Sequence, residues 1–232
     1  MAFLKMSSKS AAMYNGFYKE SILSRSGWTH NVGAFLVVSV ILLFGHCFLD
    51  ARVADKVAGI VGYDVVFSEE LSQIPDLLLV MVCAVTVLSW GCHLFLMLTR
   101  RDPGVADFFE FLGCSVPLAF ALKMIFKYVF GKTNTRIFLM SPQLYGLHWF
   151  HGGGDYSAFP SGHMAVFTAL MLAICRFYPR YRFWCWGLLV MLGIALIGTE
   201  YHFFSDVVGG TYLGLIVDHV TDKALFVRHR PG

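Results

Sequence analysis

Apolar residues fall into six long runs separated by short polar connections, near Val32 to Phe48, Leu77 to Leu98, Phe108 to Phe130, Met164 to Phe177, Phe183 to Thr199 and Val207 to Phe226. A helix needs about 20 apolar residues to cross the hydrocarbon core of a bilayer, so the pattern predicts an all-α integral membrane protein with six transmembrane helices. The fourth and fifth runs are short and rely on tilt or on their neighbours. Pro103-Gly104, Pro142 and Pro179 mark turns between spans. The stretch from Ala51 to Gln73 reads as a short helix or two lying on the membrane surface, within a surface segment of about 50–76. The first run starts only after a polar stretch carrying Lys5, Lys9, Lys19 and Arg25, so it is not read as a signal peptide. No repeat, low-complexity tract or linker divides the chain, and residues 1–232 are expected to form a single membrane domain.

Composition agrees. Hydrophobic residues make up 57% of the chain and charged residues 14%, where a soluble domain carries roughly a quarter. The net charge of +3 is dispersed over short turns, which argues against a nucleic-acid partner. Basic residues at the N-terminal segment, Arg100-Arg101, Arg176/Arg180/Arg182 and the tail with Lys223, Arg228 and Arg230 occupy alternate connections. The positive-inside rule therefore places both termini in the cytoplasm. Asp50, Asp55, Asp64, Glu69, Glu70 and Asp76, against only Arg52 and Lys56, belong to the opposite side. The connection from Gly131 to Ser161 and the corner from His202 to Asp206 then share the outer face, where an active site is expected. The six cysteines lie in apolar runs without a CxxC spacing and read as packing residues.

Two stretches carry chemistry: Phe159-Pro160-Ser161-Gly162-His163 and Tyr201-His202-Phe203-Phe204-Ser205-Asp206. One helical turn separates His202 from Asp206. The carboxylate can hold one imidazole tautomer and leave the other nitrogen free to attack phosphorus. His163 is a candidate proton donor. Single histidines at a membrane boundary are usually interfacial side chains, but Pro-Ser-Gly-His and His-x-x-x-Asp on one face point together to catalysis. His148 and His151 invite a metal by spacing, yet no third ligand accompanies them, and no metal or other cofactor is expected. Glu200 is open between a pocket wall and an interfacial charge. Trp149, Phe150, Tyr156 and Tyr201 read as an interface belt.

With Lys127-Tyr-Val-Phe-Gly-Lys132-Thr-Asn-Thr-Arg136 in front of them, these stretches resemble, in order, the three signature segments of the type-2 phosphatidic acid phosphatase superfamily of membrane lipid phosphatases. The resemblance covers a core of about 108–225 and is greatest to bacterial members, which implies a bacterial inner membrane with the site facing the periplasm. It implies a six-helix, metal-independent enzyme. His202 would be the nucleophile, Asp206 its orienting carboxylate and His163 the general acid. Lys127, Lys132 and Arg136, with backbone N–H groups at Ser161 and Gly162, would hold the phosphate. The chain departs from the pattern at Asn134 and Thr135, where the family has Arg-Pro, and at Ala195 and Leu196, where it has Ser-Arg. Arg136 stands two residues late.

The expected activity is hydrolysis of a phosphate monoester or pyrophosphate on a membrane lipid through a phospho-histidine. The alternatives are a lipid phosphotransferase of the same superfamily, for which Gly154-Asp155 offers a local likeness to sphingolipid synthases, and a non-catalytic lipid-handling protein. Which lipid is used, and the oligomeric state, are left open by the sequence.

Overall fold

A computed structural model describes residues 28–62 and 74–226. The N-terminal basic segment, the stretch with Asp64, Glu69 and Glu70, and the tail with Arg228 and Arg230 lie outside them. The described residues are helical, with only Lys132 and Leu147 pairing as an isolated antiparallel bridge. The helices are α1 (Trp28–Phe44), α2 (Asp50–Val61), α3 (Ile74–Thr99), α4 (Pro103–Phe130), α5 (Thr135–Met140), α6 (Gly162–Phe177), α7 (Arg182–Gly198) and α8 (Phe204–Phe226). Short 3₁₀ turns at Pro142–Leu144, Gly154–Tyr156 and Pro179–Tyr181 sit in the connections.

Four stretches are long and apolar enough to cross a membrane: Val32–Val61, Leu77–Thr99, Pro103–Phe130 and Pro179–Gly198. α6 is apolar but only 16 residues long. α8 has 23 residues but carries Asp206, Asp218, Asp222 and Lys223. Large apolar side chains stand exposed along α1 (Phe35, Leu36, Val40), α3 (Val80, Val87, Leu94) and α7 (Phe183, Met191, Ile194). An apolar exterior of that extent belongs against lipid, and the chain is a membrane protein.

The first apolar run does not stop at Phe48 as the pattern suggested. α1 passes through a π-helical turn, Gly45–Leu49, directly into α2. No breaker interrupts this stretch. Asp50, the first charge after the run, is fully buried and has partners within the protein. Gly45 lets the turn approach α8 closely, since a Cβ there would lie 3.3 Å from Phe204 and Ser205.

α6 is the central helix, packed against both α4 and α8. Phe111, Val116 and Ala119 of α4, Val166, Ala169 and Ala173 of α6 and Val217 of α8 form the largest buried cluster, with Leu78 and Val82 of α3 against it. The α6–α8 seam is closed by small residues. A Cβ at Gly210 would come within 2.4 Å of the Ser161 carbonyl, and one at Gly214 within 2.5 Å of Thr168. At the far end of this pair Arg176 clasps Asp218 at 2.6 Å and Asp222 at 2.7 Å, which neutralises charge that α8 would otherwise bury alone. All six cysteines are free.

Candidate active site

The corner between α7 and α8 is built by backbone hydrogen bonds before any side chain takes part. The Leu196 carbonyl accepts the N–H groups of Tyr201 (3.0 Å) and His202 (3.1 Å), which folds residues 199–203 back over the end of α7. Glu200 turns this corner with φ +53°, a left-handed conformation unusual for a residue with a Cβ. α8 then begins, and the Asp206 Oδ2 reaches back to accept the Phe203 N–H at 3.0 Å, the reciprocal half of a capping box. The same Oδ2 lies 3.6 Å from His202 Nδ1, slightly longer than a hydrogen bond. Both residues are buried. Burial holds the His202 imidazole below its ordinary range against the opposite pull of the Asp206 carboxylate, so the ring is neutral at neutral pH.

The second motif is tied to the first through the main chain. The Ser161 N–H donates to the Asp206 carbonyl at 3.0 Å, and the Ser161 hydroxyl accepts the Met164 N–H as the N-cap of α6. Gly162 and His163 are the first two residues of that helix. The His163 ring packs edge-on to Tyr201 at 5.6 Å between centroids, and Tyr201 packs edge-on to His202 at 5.1 Å, so one tyrosine is flanked by both histidines.

The basic residues divide into different roles. Lys127, in the last turn of α4, donates to the Ser157 carbonyl and lies within electrostatic range of His202 and Asp206. Lys132, a candidate phosphate ligand, donates to Asp50 (2.6 Å), Ser205 Oγ (2.6 Å) and Asp206 Oδ1 (2.8 Å). The sequence hid this because one of the two carboxylates comes from a helix more than eighty residues upstream. Arg136 lies in the first turn of α5, and its buried Nε and Nη2 have no acceptor among the described residues. A guanidinium left with unused, desolvated donors is suited to an incoming anion. Asn134 is held elsewhere, its side chain donating to the Gly154 carbonyl at 2.8 Å. Leu196 is core, packed with Met164, Leu189 and Val207.

Sequence reasoning missed Asp50, Ser205 and Tyr145. Asp50 accepts the Ser205 N–H at 2.9 Å and its hydroxyl at 2.6 Å, as well as the Tyr145 hydroxyl at 3.2 Å. Burial and the Asp50 charge push the Tyr145 phenol upward, so it remains a donor. The available signal was a lone Asp at the end of an apolar run, four residues after His46. Lys123, one turn before Lys127, was also missed; it is buried against Gly162. His148 and His151 face backbone carbonyls, Leu144 at 3.2 Å and Trp149 at 2.8 Å. Glu200 is a buried carboxyl, 1% exposed with Oε1 unpartnered among the described residues, and burial together with the nearby Asp55 raises it to about 7.

A family model for the PAP2 superfamily matches residues 107–230, more than half of the chain. The chain belongs to the PAP2 superfamily. Both histidine motifs, Asp206, Lys127, Lys132 and Arg136 fall inside the PAP2 match, whereas Asp50 lies outside it. Comparison with curated proteins and with solved structures gave no match. PAP2 membership points to a phosphatase or a related activity in a helical membrane protein.

Proposed function

We propose that this protein is a lipid phosphate phosphatase that works through a phospho-histidine. The reading rests above all on the corner where His202, Asp206, Ser161 and His163 converge from two distant motifs. His202 Nδ1 faces the Asp206 carboxylate, which leaves Nε2 as the nucleophile. Its lone pair attacks phosphorus while the bond from phosphorus to the lipid oxygen breaks, and His163 gives its proton to the departing alkoxide. Water then attacks the phospho-histidine and passes its proton to His163. Phosphate leaves, and both histidines return to their starting states. Burial keeps His202 neutral, as a nucleophile requires, and Asp206 stabilises the cationic ring of the intermediate.

Lys127, Arg136 and the N–H groups at the start of α6 neutralise the phosphate oxygens. Lys132 acts one step back and fixes Asp206. In this reading α1, α3, α4, α6, α7 and α8 are six spans, with both termini cytoplasmic and the site at the outer face of a bacterial inner membrane. Dispersed Arg100-Arg101 and Arg176/Arg180/Arg182 on the opposite connections support that orientation.

The test is phosphate release by the detergent-purified protein from a panel of phosphatidic acid, phosphatidylglycerophosphate, a polyprenyl pyrophosphate and lipid A. Rapid quenching with radiolabelled substrate should trap acid-labile, alkali-stable phosphate on the wild type and none on His202→Ala. No release from any member of the panel would overturn the reading, and a new phospholipid in place of free phosphate would make the protein a transferase.

A further inference from the structure

We infer that Lys123 is an additional phosphate ligand, forming with Lys127 and the N-terminus of α6 an oxyanion-binding cradle that the signature motifs do not include. The inference rests on reading this corner as a phosphoryl-transfer site and names a further group on it. Lys123 is 7% exposed. Its ammonium has no hydrogen-bond acceptor and no ion-pair partner among the described residues, and it rests over the face of Phe120 at 4.2 Å. A buried ammonium without an anion is costly, and a face of one phenyl ring offsets only part of that cost.

Its position says which anion would relieve it. A Cβ placed on Gly162 would lie 2.7 Å from Lys123 Cδ and 3.1 Å from Nζ, so the side chain lies directly against the first residue of α6. The missing Cβ of Gly162 is the space that the lysine side chain occupies. The first residues of a 16-residue helix present N–H groups and the positive end of its dipole. Lys127 follows one turn later on the same face of α4, and its charge bears on Lys123 as well as on His202. Two ammonium groups and a helix N-terminus repel one another in a poorly solvated space. Their common partner is an oxyanion, here the phosphate that His163 and His202 would handle. Lys123 thus supplies positive charge from the α4 side, where Leu196, on the α7 side, supplies none.

Orthophosphate is the probe. In wild type it should raise the melting temperature in detergent and inhibit turnover competitively. In Lys123→Met, which removes the charge but keeps most of the volume, the melting temperature without phosphate should equal or exceed that of wild type. Stabilisation by phosphate should be lost, the inhibition constant should rise at least tenfold, and kcat/KM should fall tenfold to a hundredfold. Lys123→Arg should recover part of both. Gly162→Ala, which drives a methyl group into the same lysine, should weaken phosphate in the same way. An inhibition constant and a thermal shift within twofold of wild type in Lys123→Met, or in Gly162→Ala should the first variant not fold, would overturn the inference. Phosphate stabilisation of a wild type that hydrolyses no lipid phosphate would instead leave the cradle standing and remove the proposed activity.

Discussion

In the proposed mechanism His202 and His163 carry separable steps, and each is expected to be indispensable. His202→Ala removes the nucleophile and His163→Ala the proton donor, so both should lose at least a thousandfold in kcat while keeping a wild-type melting curve. A residual rate within a few-fold of wild type in either would contradict the assigned roles. Because burial depresses His202 from its ordinary value of 6.5, the acid limb of kcat/KM should lie below that value. Arg136, with two orphaned buried donors, should contribute about 2–4 kcal/mol of transition-state stabilisation, tens to hundreds of times in rate. Arg136→Lys should restore only part, because a point charge does not reproduce the planar fork. Steady-state kinetics of the two variants on one lipid phosphate decides this.

Glu200 has the opposite sign. Its carboxyl is raised from 4.5 to about 7, so the unfolded chain ionises first as the pH rises. Stability from the neutral carboxyl is present below 4.5 and is lost between there and about 7, amounting to about 3 kcal/mol. Glu200→Gln should therefore raise the melting temperature at pH 8 and leave it nearly unchanged at pH 4.5. Equal shifts at both pH values would mean that the carboxyl is already charged in the fold.

Among the elements, the α6–α8 seam determines where the candidate catalytic groups stand. Gly210 allows α8 to touch the backbone of Ser161, the residue that caps α6 immediately before Gly162 and His163. Gly210→Ala puts a Cβ where 2.4 Å separates it from a carbonyl, and backbone cannot rotate away as a side chain can. The substitution should cost about 1–3 kcal/mol and at least tenfold in activity, with the second loss persisting at temperatures where the protein is folded. Thermal unfolding and turnover measured on the same preparation separate the two. The boundaries of these helices were largely legible: α3, α6, α7 and α8 begin within about three residues of the apolar runs that announced them. α4 starts five residues early because Pro103 is well suited to a first helical turn. Beyond Phe48, where the first apolar run ends, the helix continues through Leu49 into α2, because Asp50 is buried with partners inside the protein.

At the scale of the whole molecule, the N-terminal helices complete a site whose family signature lies entirely downstream. Asp50 reaches Lys132, Ser205 and Tyr145, joining α2, the connection after α4, and α8. Asp50→Asn should leave Lys132 half neutralised and cost about 3 kcal/mol of stability, the usual penalty for breaking one side of a buried pair. Asp206 would also be freed to turn, so kcat should fall with little change in KM, and Asp50→Glu should not rescue it fully. Wild-type kcat in Asp50→Asn would show that Asp206 is held without it.

The sequence by itself determined the membrane character, most of the helices and the candidate pair His202 and Asp206, because hydrophobic periodicity and a four-residue spacing are local properties that survive without neighbours. Arg136 was legible as a candidate for the same reason, a cation near a motif. The partners of each charge were decided only by the tertiary structure. Lys132 contacts two carboxylates, whereas Lys123 beside Gly162 has no ion-pair partner among the described residues, and nothing within several residues of either distinguishes them. The fate of a charge in a low-dielectric interior depends on which other charges the packing brings within a few ångströms, and Asp50 arrives there from eighty-two positions away.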